Sequence, residues 1–209
     1  GVLMRSLVPA VPTVTYRHQA GLPKGLEPEE VRRILTSCDT TSDNGVRDLA
    51  ILTLLVRLGL RRCEVSRLGL DDIDWRAGTI CVHGKGNCLE RLPLPVDVGH
   101  YLAQYLRHAR PAKARGRTVF VRHFAPYNAL SASRVSTIVA DAARRAGVGR
   151  VHAHRLRHTA ATQLLRAGAS LPEVGQVLRH RRAQTTAIYA KVDHDTLRVI
   201  ARPWPEDAQ

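Results

Sequence analysis

Residues 46–58 constrain the fold more than any other stretch of this sequence. They read VRDLAILTLLVRL, and their apolar residues lie on most faces of a helix. A helix of this kind is usually central and buried, because none of its sides is polar enough to face water. Asn44 is a candidate N-cap for this helix, and Gly59 is a candidate stop. The sequence therefore predicts a helical domain built around this segment.

The rest of the chain predicts a mainly α protein with a small antiparallel β-sheet, an α+β fold. Ser131 and Ser133 are both candidate N-caps of one helix, and Ser170 with Glu173 forms a capping box for another. A short helix is expected to carry Tyr189. The other helices are expected at residues 27–38, 46–58, 61–68, 95–106, 131–147, 154–167, 170–178 and 193–201, and strands at 79–83, 89–94 and 118–121.

Three prolines and the absence of a sustained hydrophobic period mark residues 1–24 as a linker or extended arm. Residues 25–202 are expected to form one domain, and residues 203–209 a C-terminal tail. A linker at the very start of the sequence leads us to expect that a further N-terminal domain is missing.

The charge balance of the chain indicates a polyanionic partner. There are 32 lysines and arginines against 18 aspartates and glutamates, which gives a formal net charge of +14. This excess is spread along the chain, and nucleic acid is the leading candidate partner for such a protein. On charge alone, a ribosomal or merely soluble basic protein remains an open alternative.

The cysteines and the hydropathy indicate a reducing compartment. Cys38, Cys63, Cys81 and Cys88 form no CxxC pair, there is no signal peptide, and no apolar run approaches the roughly 20 residues of a membrane helix. We therefore expect reduced thiols in a cytoplasmic bacterial protein without membrane contact. Cys81, His83 and Cys88 offer three possible zinc ligands, but a structural zinc site normally has four, so no metal is expected.

The C-terminal third concentrates groups that can act on a phosphate. His154 and Arg157 are three residues apart at a helix start, so both side chains can share one face. His152 and Arg155 have the same spacing, and such pairs arise readily by chance in a chain with 10 histidines and 32 basic residues. Tyr189 is a useful nucleophile only where cations surround its target and a base takes its proton. Packing in the core is the simpler interpretation of that tyrosine.

Two basic residues further upstream are also candidates. Lys85 lies between two glycines at the expected hairpin tip, where it is either a solvated turn lysine or a general acid on a flexible finger. Arg61 lies at a helix start, where a cation opposes the helix dipole unless it serves to bind an anion such as phosphate.

Taken in order, these groups resemble the motifs of the tyrosine recombinases, the phage-integrase and XerC/XerD-like family. Residues 59–64 (GLRRCE) are similar to the first arginine motif of the family, and residues 84–87 (GKGN) are similar to its hairpin lysine motif. The second motif is similar to HRLRHTAAT (154–162), and the third to LRH (178–180) followed by TTAIY (185–189). The resemblance spans about residues 25–191 and identifies His154 and Arg157, not His152 and Arg155, as the site pair.

The resemblance implies a tyrosine-recombinase catalytic domain that breaks and rejoins double-stranded DNA. Tyr189 would attack the scissile phosphate, while three cations, Arg61, Arg157 and His180, would stabilise the transition state. His154 would accept the tyrosine proton and Lys85 would protonate the leaving 5′-oxygen, with no cofactor and no metal. Glu64 would orient Arg61. The family further implies a homotetramer on synapsed DNA, a monomer or weak oligomer when free, a mobile-element origin and a nucleoid-associated location. Residues 193–201 would contact a neighbouring subunit.

The chain departs from the family pattern at Arg179, where the family commonly has glycine between leucine and histidine. A large cation there is expected either to alter the geometry or to add a phosphate contact. The hairpin also lacks a basic residue soon after Asn87. The family usually carries an N-terminal DNA-binding domain, and we expect that domain to be missing here. Two alternatives therefore stay open: a type IB topoisomerase, and a DNA-binding remnant with impaired catalysis.

Overall fold

The computed structural model describes residues 25–84, 89–180 and 183–189, without the side chains of 183 and 184. Lys85, the predicted segments 1–24 and 193–201, and the tail 203–209 lie outside the described residues. Within them the chain is mainly helical with one small antiparallel sheet, so the predicted fold class is confirmed. No helix among these residues combines the length and the apolar character needed to cross a bilayer.

The helices follow the predicted order. They are α1 (Pro28–Thr36), α2 (Asp43–Arg57), α3 (Arg62–Arg67), α4 (Val96–Gln104), α5 (Ala132–Arg145), α6 (Ala153–Arg166), α7 (Leu171–Val177) and α8 (Ala183–Ala187). A 3-10 turn at Leu70–Asp72 follows α3, and α4 continues into a π-helical turn at Tyr105–Ala109. Tyr189 lies two residues beyond α8, not within it as predicted; its backbone N–H still donates to Thr186 O at 2.9 Å.

Helix α2 is the centre of the domain, as its sequence predicts. Residues 49–56 are all buried, and α2 packs against α1, α3, α4, α5, α6 and the π-helical turn. The predicted cap at Asn44 is wrong: Ser42, two residues earlier, is the N-cap, and its Oγ accepts from the Gly45 backbone N–H at 3.2 Å, so the helix begins at Asp43. Serine is the shorter and equally favoured cap, and its position leaves Asn44 inside the first turn.

The sheet has three strands in the order β1 (Ile73–Asp74), β2 (Thr79–His83) and β3 (Leu89–Pro93), all antiparallel. The β2–β3 register pairs Thr79 with Pro93 and His83 with Leu89. The predicted strand at 118–121 is absent. Its backbone makes only isolated bridges, from Thr118 to Gly69 and from Val121 to Ala129, because neither neighbour runs alongside for long enough to form a ladder.

Two of the last four helices, α5 and α7, use the capping signals that the sequence carries. Ser131 is the N-cap of α5, with its Oγ accepting from Arg134 N–H at 3.1 Å, which decides between the two candidate serines. Ser170 and Glu173 form the predicted capping box at α7. A small apolar cluster of Ala161, Val174, Leu178 and Tyr189 joins α6, α7 and the segment after α8. That cluster places the end of the third motif against the helix that carries the second.

Candidate active site

Arg61 is the N-cap of α3 and is held by a carboxylate one turn away. Its backbone N–H donates to Glu64 Oε2 at 2.7 Å, and its Nη1 donates to Glu64 Oε1 at 2.6 Å. Nη2 donates to the Arg179 carbonyl at 3.3 Å, across 118 residues of sequence. The side chain is still 37% exposed while that of Glu64 is 2% exposed. The buried Glu64 therefore fixes the inner edge of the Arg61 guanidinium, and its outer edge faces solvent.

Arg157, in the first turns of α6, ties the three motifs together. The side chain is buried; Nη1 donates to Gly59 O at 2.5 Å, and Nη2 donates to Leu178 O. Burial lowers the pKa of Arg157 to about 10, with Arg61 and Arg179 adding to the effect, so the group is still a cation at neutral pH. The segments before α3 and after α7 are thus both hydrogen-bonded to one guanidinium.

A surface cavity of about 500 Å³ lies beside these two arginines. Arg61, Arg62 and Arg157 line it together with His152 and His154 from the start of α6. Fixed guanidinium groups suit the planar and tetrahedral oxygens of carboxylates and phosphates. Five basic side chains around one concavity make it a candidate anion site.

Arg179 occupies the position where the resemblance leads one to expect glycine, and it keeps a glycine-like backbone with φ +56°. Its side chain is 1% exposed; Nη2 donates to Glu64 Oε2 at 2.9 Å and Nη1 to Val177 O at 2.8 Å. Burial lowers the pKa of Arg179, and Glu64 opposes that effect. Of the two expected outcomes, the added phosphate contact is wrong: the side chain points inward and is engaged by Glu64.

His180 follows directly and is fixed by the segment that leads to Tyr189. Its Nδ1 lies 2.8 Å from Thr186 Oγ1, and its ring is parallel to the Tyr189 ring at a centroid distance of 6.4 Å. Burial lowers the pKa of His180 to about 4, with Arg157 and Arg61 as the next causes. The imidazole is therefore neutral at pH 7.

Tyr189 is buried, and its hydroxyl meets a histidine that the sequence motifs did not single out. Tyr189 Oη lies 2.5 Å from His158 Nδ1. Burial raises the pKa of the phenol to about 12, although Arg157 acts in the opposite direction. His158 is one helical turn after His154, so the i to i+4 spacing was the available signal.

The predicted proton acceptor, His154, is exposed at the rim of the cavity. Its ring meets the ring of His158 edge-on at a centroid distance of 4.3 Å. In the part of the chain that the structure describes, its side chain makes no hydrogen bond to Tyr189. Five of the six predicted site residues (Arg61, His154, Arg157, His180 and Tyr189) are thus brought to one region, and Lys85 lies outside the described residues.

Comparison with known proteins agrees with this geometry. The model of the phage integrase family matches residues 24–195. The chain is 46% identical over 212 residues to the Sinorhizobium fredii protein y4rA, whose name places it among the integrases and recombinases, covering all of this chain and 51% of that protein. It is 35% identical to the tyrosine recombinase XerD of Listeria innocua, over 88% of this chain and 63% of XerD.

Solved structures show the same architecture. The structure of XerA recombinase has a TM-score of 0.75 at 24% identity, over 88% of this chain and 66% of that one. XerH bound to palindromic difH substrate in a post-cleavage complex has a TM-score of 0.73 at 26% identity, over 88% of this chain and 54% of XerH. The chain spans about half the length of y4rA and under two thirds of the XerD protein.

Proposed function

The chain belongs to the phage integrase family, and on that premise we propose that it is the catalytic part of a site-specific recombinase that cuts and rejoins DNA strands through a 3′-phosphotyrosine. The observation that carries this proposal is the pair of hydrogen bonds from Arg157 to Gly59 O and Leu178 O. They bring an arginine motif, a histidine–arginine motif and the tyrosine segment together, although the two carbonyls lie 98 and 21 residues from Arg157.

In the proposed reaction, the scissile phosphate occupies the cavity beside Arg61 and Arg157. Both guanidinium groups, with His180, stabilise the negative charge that grows on the phosphoryl oxygens. Tyr189 Oη forms a bond to phosphorus as the bond to the 5′-oxygen breaks, so the phosphoester is kept for rejoining. Lys85 donates the proton to that 5′-oxygen, and His154 is the proton acceptor that the resemblance assigns.

Double-stranded DNA is the proposed partner, supported by the basic cavity and by the DNA-bound XerH structure. A net charge of +14 favours binding to the phosphate backbone, which makes affinity strongly dependent on salt. We further propose a tetramer on paired sites, with residues 193–201 reaching a neighbouring subunit, and a mobile element in a bacterial cytoplasm as the setting.

A suicide substrate tests the reaction. The substrate is duplex DNA from the mobile element, with a nick close to the scissile phosphate. After cleavage, the short fragment that carries the free 5′-hydroxyl is lost, and the protein stays trapped on the 3′ end. We expect a covalent protein–DNA band with the wild-type chain and none with Tyr189→Phe. DNA binding without any band would show a catalytically impaired remnant. A band with plasmid relaxation but without recombinant products from paired sites would show a topoisomerase.

A further inference from the structure

The hydroxyl of Tyr189 has one partner among the described residues, and it is His158. The 2.5 Å contact joins Tyr189 Oη to His158 Nδ1, on the side of the ring that faces the segment after α8. A phenol donates one hydrogen, and the neutral imidazole offers one unprotonated nitrogen as an acceptor. Were Nδ1 the protonated nitrogen, the tyrosine hydrogen would have no acceptor within the described part of the chain. The contact is thus O–H to Nδ1.

We infer that His158 is a catalytic residue whose Nδ1 takes the phenolic proton of Tyr189 as Tyr189 attacks phosphorus. This inference rests on the proposed function and changes one role in it, because His158 takes the proton-acceptor role that the resemblance assigns to His154. In the step, the Oη–P bond forms while the P–O5′ bond breaks. The Oη proton goes to His158 Nδ1, and the 5′-oxygen takes its proton from Lys85. No other reactant is needed, and the reverse step returns the proton from His158 to the phenol.

The other two histidines of the site are placed for different tasks. His180 has its Nδ1 at Thr186 Oγ1, so that nitrogen is already used. His154 lines the cavity and packs its ring edge-on against His158, one turn earlier on α6. His158 is therefore the middle of a line from the buried phenol to the exposed His154. That order gives His154 a positioning role, through the contact of its ring with the ring of His158.

The surroundings of His158 keep it able to accept a proton. Burial lowers its pKa to about 4, with His154 and Arg157 as further causes, and His180 and Tyr189 are the titratable groups facing it from the segments after α7 and α8. The imidazole of His158 is therefore uncharged at pH values near 7 and can accept a proton. Its basicity rises at the moment of attack, because the phosphate adds negative charge beside it.

The test compares three asparagine variants of the full chain in single-turnover cleavage at saturating DNA. Asparagine places an acceptor oxygen near the position of Nδ1 but cannot take a proton. We expect His158→Asn to lower the cleavage rate by about 100- to 10,000-fold and to make it rise with pH as the phenol ionises. His154→Asn should lose less, and the exposed His108→Asn should cleave like wild type. Equal thermal melting of the three variants excludes misfolding.

A substrate with sulfur in place of the bridging 5′-oxygen separates the two proton transfers, because a thiolate leaves without protonation. This substrate should restore cleavage to Lys85→Ala and leave His158→Asn slow. Wild-type rates in His158→Asn would overturn the inference, since a histidine that only holds the tyrosine is replaced by the asparagine oxygen. A larger loss in His154→Asn than in His158→Asn would overturn it as well. Absence of any adduct from the wild-type chain would instead overturn the proposed function.

Discussion

Arg179 Nη2 lies 2.9 Å from Oε2 of Glu64, and both side chains are buried. The same carboxylate holds the guanidinium and the backbone N–H of Arg61. The residue that departs from the family pattern is thus connected to the first arginine of the site through one shared anion. Removing one partner of such a buried group leaves an uncompensated charge, which typically costs about 3–5 kcal/mol.

Glu64→Gln is therefore expected to destabilise the protein by about 3 kcal/mol, because Arg179 loses its counter-charge in the interior. Urea denaturation followed by far-UV circular dichroism measures this as a lower midpoint at constant slope. A double-mutant cycle with Arg179→Met is the control. We expect a coupling of about 1–3 kcal/mol between the two positions, and additive effects would contradict the pairing.

The acid limb of the stability curve should also depend on Glu64. Burial raises the pKa of Glu64, but the charges and hydrogen bonds of Arg179 and Arg61 outweigh burial and hold this pKa below its usual 4.5. The unfolded chain then binds a proton at a higher pH than the folded one, so this contribution is present above about pH 4.5 and is lost as the pH falls through the folded pKa. The difference in stability between wild type and Glu64→Gln should therefore shrink below pH 4.5, and a constant difference would contradict this assignment.

Two histidines should make the protein less stable between pH 6.5 and pH 4. The pKa values of His158 and His180 are lowered from 6.5 to about 4. The unfolded state takes up protons in this window while the folded state does not, so stability falls as the pH falls. Melting temperatures of wild type and of His158→Asn with His180→Gln measure the slope. The double variant should show the flatter profile, and His108→Asn should keep the wild-type slope.

Gly59 and Gly78 offer a matched pair for the corner before α3. Both have positive φ, +56° and +61°, but an added Cβ at Gly59 would lie 2.6 Å from Leu178 Cδ2, whereas at Gly78 it meets nothing within 4 Å. Alanine at Gly78 should cost about 1–2 kcal/mol of backbone strain. Alanine at Gly59 should cost about 1–3 kcal/mol more through the clash, and it should slow cleavage because Gly59 O anchors Arg157. Equal losses of stability in the two variants would show that Leu178 moves aside freely.

Arg61 and Arg157 should respond differently to lysine. Arg157→Lys cannot reach both Gly59 O and Leu178 O in the same geometry, so we expect a loss of about 2 kcal/mol in stability together with the loss of cleavage. Arg61→Lys leaves a partly exposed site and should cost less than about 1 kcal/mol while also abolishing cleavage. Urea denaturation and adduct formation, measured on the same preparations, separate the structural role from the catalytic one.

The sequence was sufficient for the fold class and for the order of the helices, and insufficient for side-chain direction. The apolar pattern of α2 and the capping serines predicted the helices because each signal is local. The strand at 118–121 failed because a strand depends on what lies beside it. A phosphate contact was one of two expected outcomes for Arg179 because the sequence gives only its charge, while its inward direction follows from the distant Glu64. His158 was overlooked because the motif highlights His154, and only the fold brings Tyr189 to the next turn of α6.

His154, Arg157 and His158 lie on one 14-residue helix, whereas Tyr189 lies beyond the five-residue α8. The residues that bind the phosphate and the residue that attacks it thus lie on separate segments of the chain. Exchanging residues 183–189 between related proteins would change the segment that carries the nucleophile and leave Arg61, Arg157 and His180 in place. For the engineering of programmable DNA insertion, that makes the short tyrosine segment the natural place to build in a trigger.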